Sequence, residues 1–106
     1  MNRSKSRELP ADAHAGIPVE RVQTGLRMEK RLLKVLKALA DYHDMTLGDL
    51  LEGIVLHVFD GRQPFGEESL RVVRQLRTVY GLELRAAASH RLMEKGPKSP
   101  AKRRVR

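Results

Sequence analysis

Residues 21–28 read RVQTGLRM, residues 29–45 read EKRLLKVLKALADYHDM and residues 46–59 read TLGDLLEGIVLHVF. Apolar and polar residues alternate in the first segment, whereas apolar residues recur every three or four positions in the other two. Because side chains repeat every two residues in a strand and every 3.6 in a helix, this change predicts a short strand that is followed by two helices. A lone strand cannot satisfy its own backbone hydrogen bonds, and no other segment has a convincing strand pattern. We therefore expect it to pair with the same strand of a second chain.

The two faces of the predicted strand differ in polarity. One face carries Val22, Thr24, Leu26 and Met28, and the other carries Arg21, Gln23, Gly25 and Arg27. The first face is suited to a core that two chains share, and the second presents hydrogen-bond donors to solvent or to a ligand.

The first predicted helix has one apolar stripe, formed by Leu32, Leu33, Leu36, Leu39, Ala40 and His43. We interpret His43, at the end of the stripe, as a packing residue rather than a ligand. Thr46 is suited to cap the second helix, and Asp49 favours its first turn, so that this helix should begin near Leu47.

The second helix has a broader apolar arc than packing against one neighbour requires, which predicts that it is buried between subunits. The expected dimer core consists of Leu26, Met28, Leu36, Leu50, Leu51, Ile54, Val55 and Val58.

This order of elements resembles the ribbon-helix-helix family, the superfamily of the Arc and methionine repressors. The resemblance covers about 40 of the 106 residues and depends on the alternating strand, the polar break at 29–31, two helices and the short turn before Thr46. It implies an antiparallel two-stranded ribbon that enters the major groove of DNA. The expected fold is mainly α, with one N-terminal strand paired across a homodimer, two core helices and an extra C-terminal helix.

The resemblance also implies a set of base-reading residues, which are Arg21, Gln23, Gly25 and Arg27. Arginine can bind guanine through two hydrogen bonds, and glutamine can pair with adenine. Gly25 departs from the family pattern because it lacks a side chain. Either the ribbon approaches the bases more closely there, or part of the sequence specificity has been lost.

Phosphate contacts are expected at Lys30, Arg31, Thr46, Leu47 and Gly48. In the family, the free amides at the start of the second helix hold a backbone phosphate, and Asp49 would weaken that contact here. The alternative is an ordinary capped helix without a phosphate role.

Charge is distributed unevenly along the chain, whose net charge is +8. Residues 21–37 contain six basic residues and one glutamate, whereas residues 38–60 contain five acidic residues and no lysine or arginine. A basic ribbon and first helix fit a polyanionic partner. Alternatively, the lysines and arginine of the first helix form only its solvated face.

The remaining chain divides into three further segments beside the domain at 21–60. Residues 1–20 are predicted to be a disordered arm, 61–95 a helical extension and 96–106 a disordered basic tail.

A third helix is expected over 67–80 and a short fourth helix over 85–95. The third helix can cap the dimer, bind another protein or contact DNA through its arginines. The tail either binds nucleic acid electrostatically or is merely solubilising.

Composition disfavours several other classes of protein. The chain has no cysteine, 4% aromatic residues, no apolar leader and no run of the length that a membrane span needs, so we expect a cytoplasmic protein without metal or other cofactor. The widely spaced histidines give no catalytic arrangement, so we do not expect an enzyme.

The predicted function is that of a homodimer that binds double-stranded DNA sequence-specifically and regulates transcription. One alternative is an antitoxin-like or adaptor dimer that binds a partner protein through residues 66–95. Another is a nucleic-acid binder without sequence preference that depends on its tails.

Overall fold

The computed structural model describes residues 16–96. They form three α-helices and one short 3-10 helix, namely α1 (Lys30–Tyr42), α2 (Leu47–Phe59), α3 (Glu67–Tyr80) and the 3-10 helix Ala86–Ala88. The protein is therefore mainly helical, with two core helices and a third helix, as the sequence predicted. The predictions for the basic tail, and for most of the N-terminal arm, concern residues 1–15 and 97–106, which lie outside the described residues.

Helix α1 packs against both α2 and α3 and supplies half of the buried apolar residues, namely Val35, Leu39 and Ala40. It begins after Glu29, whose carboxylate accepts a hydrogen bond of 2.8 Å from the backbone N–H of Leu32. Leu39 of α1 is fully buried, and it forms one cluster with Ala40, with Leu50 of α2 and with Val72 of α3. This small apolar cluster fixes the positions of the three helices.

A tight turn joins α1 to α2. Asp44 adopts a left-handed conformation with φ of 56°, which aspartate tolerates better than most residues. The hydroxyl of Thr46 then accepts a hydrogen bond of 3.0 Å from the backbone N–H of Asp49. The prediction that Thr46 caps α2 and that the helix begins at Leu47 is confirmed.

Helix α3 covers α1 within the same chain. Its bounds agree with the predicted range, and it ends at Gly81, whose φ of 69° is the left-handed conformation that favours glycine. Val72 is buried on the core, and the half-buried apolar residues beside it are Phe65, Leu70, Val73 and Leu76. The extension after residue 60 thus completes the core of its own chain.

Polar contacts reinforce the α1–α3 packing. The hydroxyl of Tyr42 donates a hydrogen bond to the carboxylate of Glu68, and this bond raises the pKa of Tyr42 above its ordinary value. Nε2 of the half-buried His43 lies 2.9 Å from the hydroxyl of Ser69. His43 therefore has the packing position that the sequence predicted.

Two predicted elements are not seen. Residues 21–28 have no regular secondary structure, and no strand occurs between residues 16 and 96. A strand needs a partner for its backbone hydrogen bonds, and residues 16–96 of the single chain contain none. The predicted fourth helix over 85–95 is wrong, since that segment holds only a three-residue 3-10 helix. It lacks the apolar face by which a short helix gains stability from packing.

We expect Leu39→Ala to lower the free energy of unfolding by about 2–5 kcal/mol, because it leaves a cavity where the three helices meet. The matched control is Val79→Ala, at a side chain that is 71% exposed, which should change stability by no more than about 0.5 kcal/mol. Urea unfolding at equal protein concentrations measures both values. Equal losses in the two variants would contradict the assigned core.

Candidate nucleic-acid interface

The segment expected to form the DNA-reading ribbon lies on the surface. Its apolar residues Val22 and Leu26 are 81% and 67% exposed, and Met28 is half-buried. Gln23 and Gly25 are exposed as well, and among the described residues nothing lies within 4 Å of a Cβ placed on Gly25. Both faces of residues 21–26 are therefore accessible in the single chain.

Arg21 is held by two acidic side chains of α2. Its Nε and Nη2 donate hydrogen bonds of 2.8 and 2.7 Å to the two carboxylate oxygens of Glu52, and Nη2 lies 3.5 Å from a carboxylate oxygen of Asp49. These hydrogen bonds lower the pKa of the Glu52 carboxyl and raise that of Arg21. The pair connects the start of the exposed segment to α2 and occupies the Nε and Nη2 edge of Arg21.

Arg27 is also paired with a carboxylate, which belongs to the C-terminal segment. Nε and Nη2 of its guanidinium donate to the two carboxylate oxygens of Glu94. The side chains are 82% and 63% exposed, so water competes with this pair. Unlike Arg21, Arg27 is joined to a segment without regular secondary structure.

Lys30 and Arg31 are exposed on the first turn of α1, where no acidic residue is present. The first turn is the positive end of the helix dipole, so basic residues there are electrostatically unfavourable. Farther along α1, Nζ of Lys34 lies 5.9 Å from the centre of the Tyr80 ring of α3, within reach of a cation–π interaction. The carboxylate of Glu29, which caps α1, offsets only part of the positive charge that Lys30 and Arg31 add to this end of the helix.

The other expected phosphate site is the start of α2. The Thr46 hydroxyl is occupied by the N–H of Asp49, Leu47 is half-buried and Gly48 is exposed. A Cβ at Gly48 would meet only the Thr46 hydroxyl, at 3.9 Å, so the side-chain side of Gly48 is open. The contact of Asp49 with Arg21 offsets part of the negative charge beside these amides.

The predicted dimer-core residues fall into three groups. Leu50 is buried within its own chain, whereas Leu26, Val55 and Val58 are exposed. The half-buried members are Met28, Leu36, Leu51 and Ile54. Leu56 and Phe59 add further exposed apolar surface to α2, and Phe59 is 79% exposed. The folded chain thus leaves much of α2 uncovered.

Two residues of this surface were not found from the sequence, namely Glu52 and Glu94. They are 31 and 67 positions from the arginines that they bind, and no local pattern predicts such pairs. Arg77 of α3 also differs from expectation, because its half-buried guanidinium donates a 2.5 Å hydrogen bond to the backbone oxygen of Leu84. It stabilises the turn after α3.

Searches against protein-family models, curated proteins and solved structures found no match for this chain. No helix within residues 16–96 is long and apolar enough to cross a lipid bilayer. The function is therefore inferred from the geometry and charge of the chain's own residues.

We expect Glu52 to titrate below the ordinary range of a glutamate, because Arg21 stabilises its ionised form. The folded-state pKa is lower than the unfolded-state pKa, so the pair contributes to stability above the unfolded value. That contribution is lost as the pH falls through the folded value.

NMR titration of the Glu52 side-chain carbon measures this pKa. Arg21→Ala should return it to the ordinary range, whereas Arg62→Ala, at an exposed arginine between α2 and α3, should leave it low. An ordinary pKa in the unsubstituted protein would contradict the pair.

Proposed function

We propose that this protein is a homodimeric, ribbon-helix-helix-like protein that binds double-stranded DNA sequence-specifically and regulates transcription. The observation that carries the proposal is the uncovered apolar surface of residues 21–28 and α2 beside an exposed basic surface. A second copy, with its strand paired to residues 21–28, would cover the apolar surface. It would also double the area of the basic surface.

Dimerisation is favoured by the apolar area that the single chain leaves in water. Val22, Leu26, Val58 and Phe59 are all more than half exposed. Full burial of each such side chain contributes about 1.5–3 kcal/mol. Two-fold symmetry doubles the number of buried side chains, which offsets an association cost of about 4–15 kcal/mol. Pairing of residues 21–28 would also satisfy the backbone groups of that segment.

Base recognition is assigned to Gln23 and Arg27 of both subunits. Their side chains alternate with the apolar residues, so they would face the major groove when Val22 and Leu26 face the core. Arg21 is a weaker candidate because two of its three guanidinium nitrogens, Nε and Nη2, bind Glu52. The symmetry of the dimer favours a roughly palindromic site.

Phosphate binding is assigned to Lys30, Arg31 and the amides of Thr46, Leu47 and Gly48. The positive end of the α1 dipole makes Lys30 and Arg31 costly for the free protein. A DNA phosphate would lower that cost, because it adds negative charge to the single carboxylate of Glu29 at this end of the helix. Such contacts place the protein on the duplex, while the base contacts supply specificity.

A protein-binding dimer is the second candidate. It is favoured by exposed apolar residues of the extension, namely Val79, Leu92 and Met93. Most of the apolar face of α3 is covered by α1, however, which leaves less surface for a partner than on α2.

We expect Val58→Glu to raise the dimer dissociation constant by more than about tenfold, because it places an unpaired charge in the proposed interface. Val58 is 55% exposed in the single chain, so the fold of the chain should survive. The control is Val79→Glu on α3, which should leave the dimer intact. Analytical ultracentrifugation measures both, and a protein that is monomeric at every concentration would contradict the proposal.

We expect selection from random duplex DNA to enrich a motif with two-fold symmetry. Arg27→Ala should lower affinity for that motif by roughly 1–3 kcal/mol and relax one base position in each half-site. Arg85→Ala, at an exposed arginine outside the ribbon, should weaken binding slightly and equally on all sequences. A salt-sensitive interaction without a motif, or none, would favour the protein-binding candidate.

A further inference from the structure

An open groove of about 1170 Å³ separates the start of α1 from the C-terminal segment of the chain. One side is lined by Arg27, Lys30, Arg31 and Lys34, and the other by residues 92–95; Val79 and Tyr80 of α3 also contribute. The groove therefore includes both a predicted base-reading residue and both of the predicted phosphate-binding residues of α1.

Glu94 is the acidic residue that extends from the C-terminal segment to Arg27. Its two carboxylate oxygens accept hydrogen bonds from Nε and Nη2, so they occupy one edge of the guanidinium. A guanine presents two acceptors, O6 and N7, to the same kind of edge, and a phosphate presents two oxygens. Glu94 therefore occupies an edge of Arg27 through which a guanine or a phosphate would otherwise bind, and a duplex that uses this edge must displace it.

We propose that Glu94 is an internal competitor of DNA, which occupies the Arg27 guanidinium in the free protein and must leave when the ribbon binds a duplex. This inference rests on the proposed function and assigns a regulatory role to the segment after α3. Competition by Glu94 lowers the affinity for every duplex. The reduction is largest for duplexes that contain the base read by Arg27.

The contact is suited to reversible competition. It lies in water, so its displacement costs little, and it belongs to a segment that leaves the 3-10 helix through His90, which has a left-handed φ of 65°. Leu92 and Met93 of this segment are exposed, so the segment is not fixed by a buried apolar anchor at these positions. The ion pair with Arg27 is thus its clearest attachment to the basic surface.

The test compares Glu94→Gln with Glu83→Gln. Glu83 is exposed in the turn after α3, so both variants lose one negative charge and gain the same general attraction to DNA. We expect Glu94→Gln to bind duplex DNA about 2- to 5-fold more tightly than Glu83→Gln at the same salt concentration. In the Arg27→Ala background the two variants should bind equally, because the competitor has lost its target.

Equal affinities of the two variants, in a protein whose binding Arg27→Ala still weakens, would overturn the competition and leave the proposed function intact. Absence of duplex binding in every variant would overturn both. A second readout needs no DNA: NMR of the Arg27 Nε–H should show faster exchange with water in Glu94→Gln than in the unsubstituted protein. An unchanged exchange rate would overturn the competition whatever the DNA result.

Discussion

The packing of α1 against both other helices is the constraint on which the rest of the structure depends. Leu39 and Ala40 of α1 are the residues around which α2 and α3 meet. This small core covers one face of α1 and part of the apolar arc of α2. The other apolar residues of α2 remain exposed to water. The same packing directs the first turn of α1 and the segment before it toward solvent. The exposed apolar residues and the exposed basic residues therefore both result from the way α1 packs.

Both arginines of the exposed segment are bound by carboxylates from other parts of the chain. Arg21 is bound by Glu52 of a regular helix, whereas Arg27 is bound by Glu94 of an irregular segment. The two arginines therefore have different roles in the proposed function. The first attaches the segment to α2, and the second is available to DNA at a small cost.

The start of α2 and both ends of α3 could be predicted from the sequence almost to the residue because their signals are local. Thr46 and Gly81 act on the backbone within a few positions, and the apolar stripes repeat within single helices. The ion pairs could not be predicted, since they depend on how α2 and the C-terminal segment fold back on residues 21–27. Phe65 is an intermediate case: its neighbours indicate a loop, yet its side chain packs on the core. The strand depends on a second chain, so its pairing stays a prediction, as do the base-reading and phosphate-binding assignments.

The basic first turn of α1 has a consequence for the effect of salt. In the free protein, dissolved ions screen the part of the repulsion between Lys30, Arg31 and the positive end of the helix dipole that the Glu29 carboxylate does not offset. In the DNA complex, the same ions compete with the phosphates for those side chains, so salt weakens binding. An increase in salt thus has opposite effects on the first turn of the free protein and on the binding of that turn to DNA. The repulsion within the free turn is weakest under the conditions in which the turn holds DNA least well.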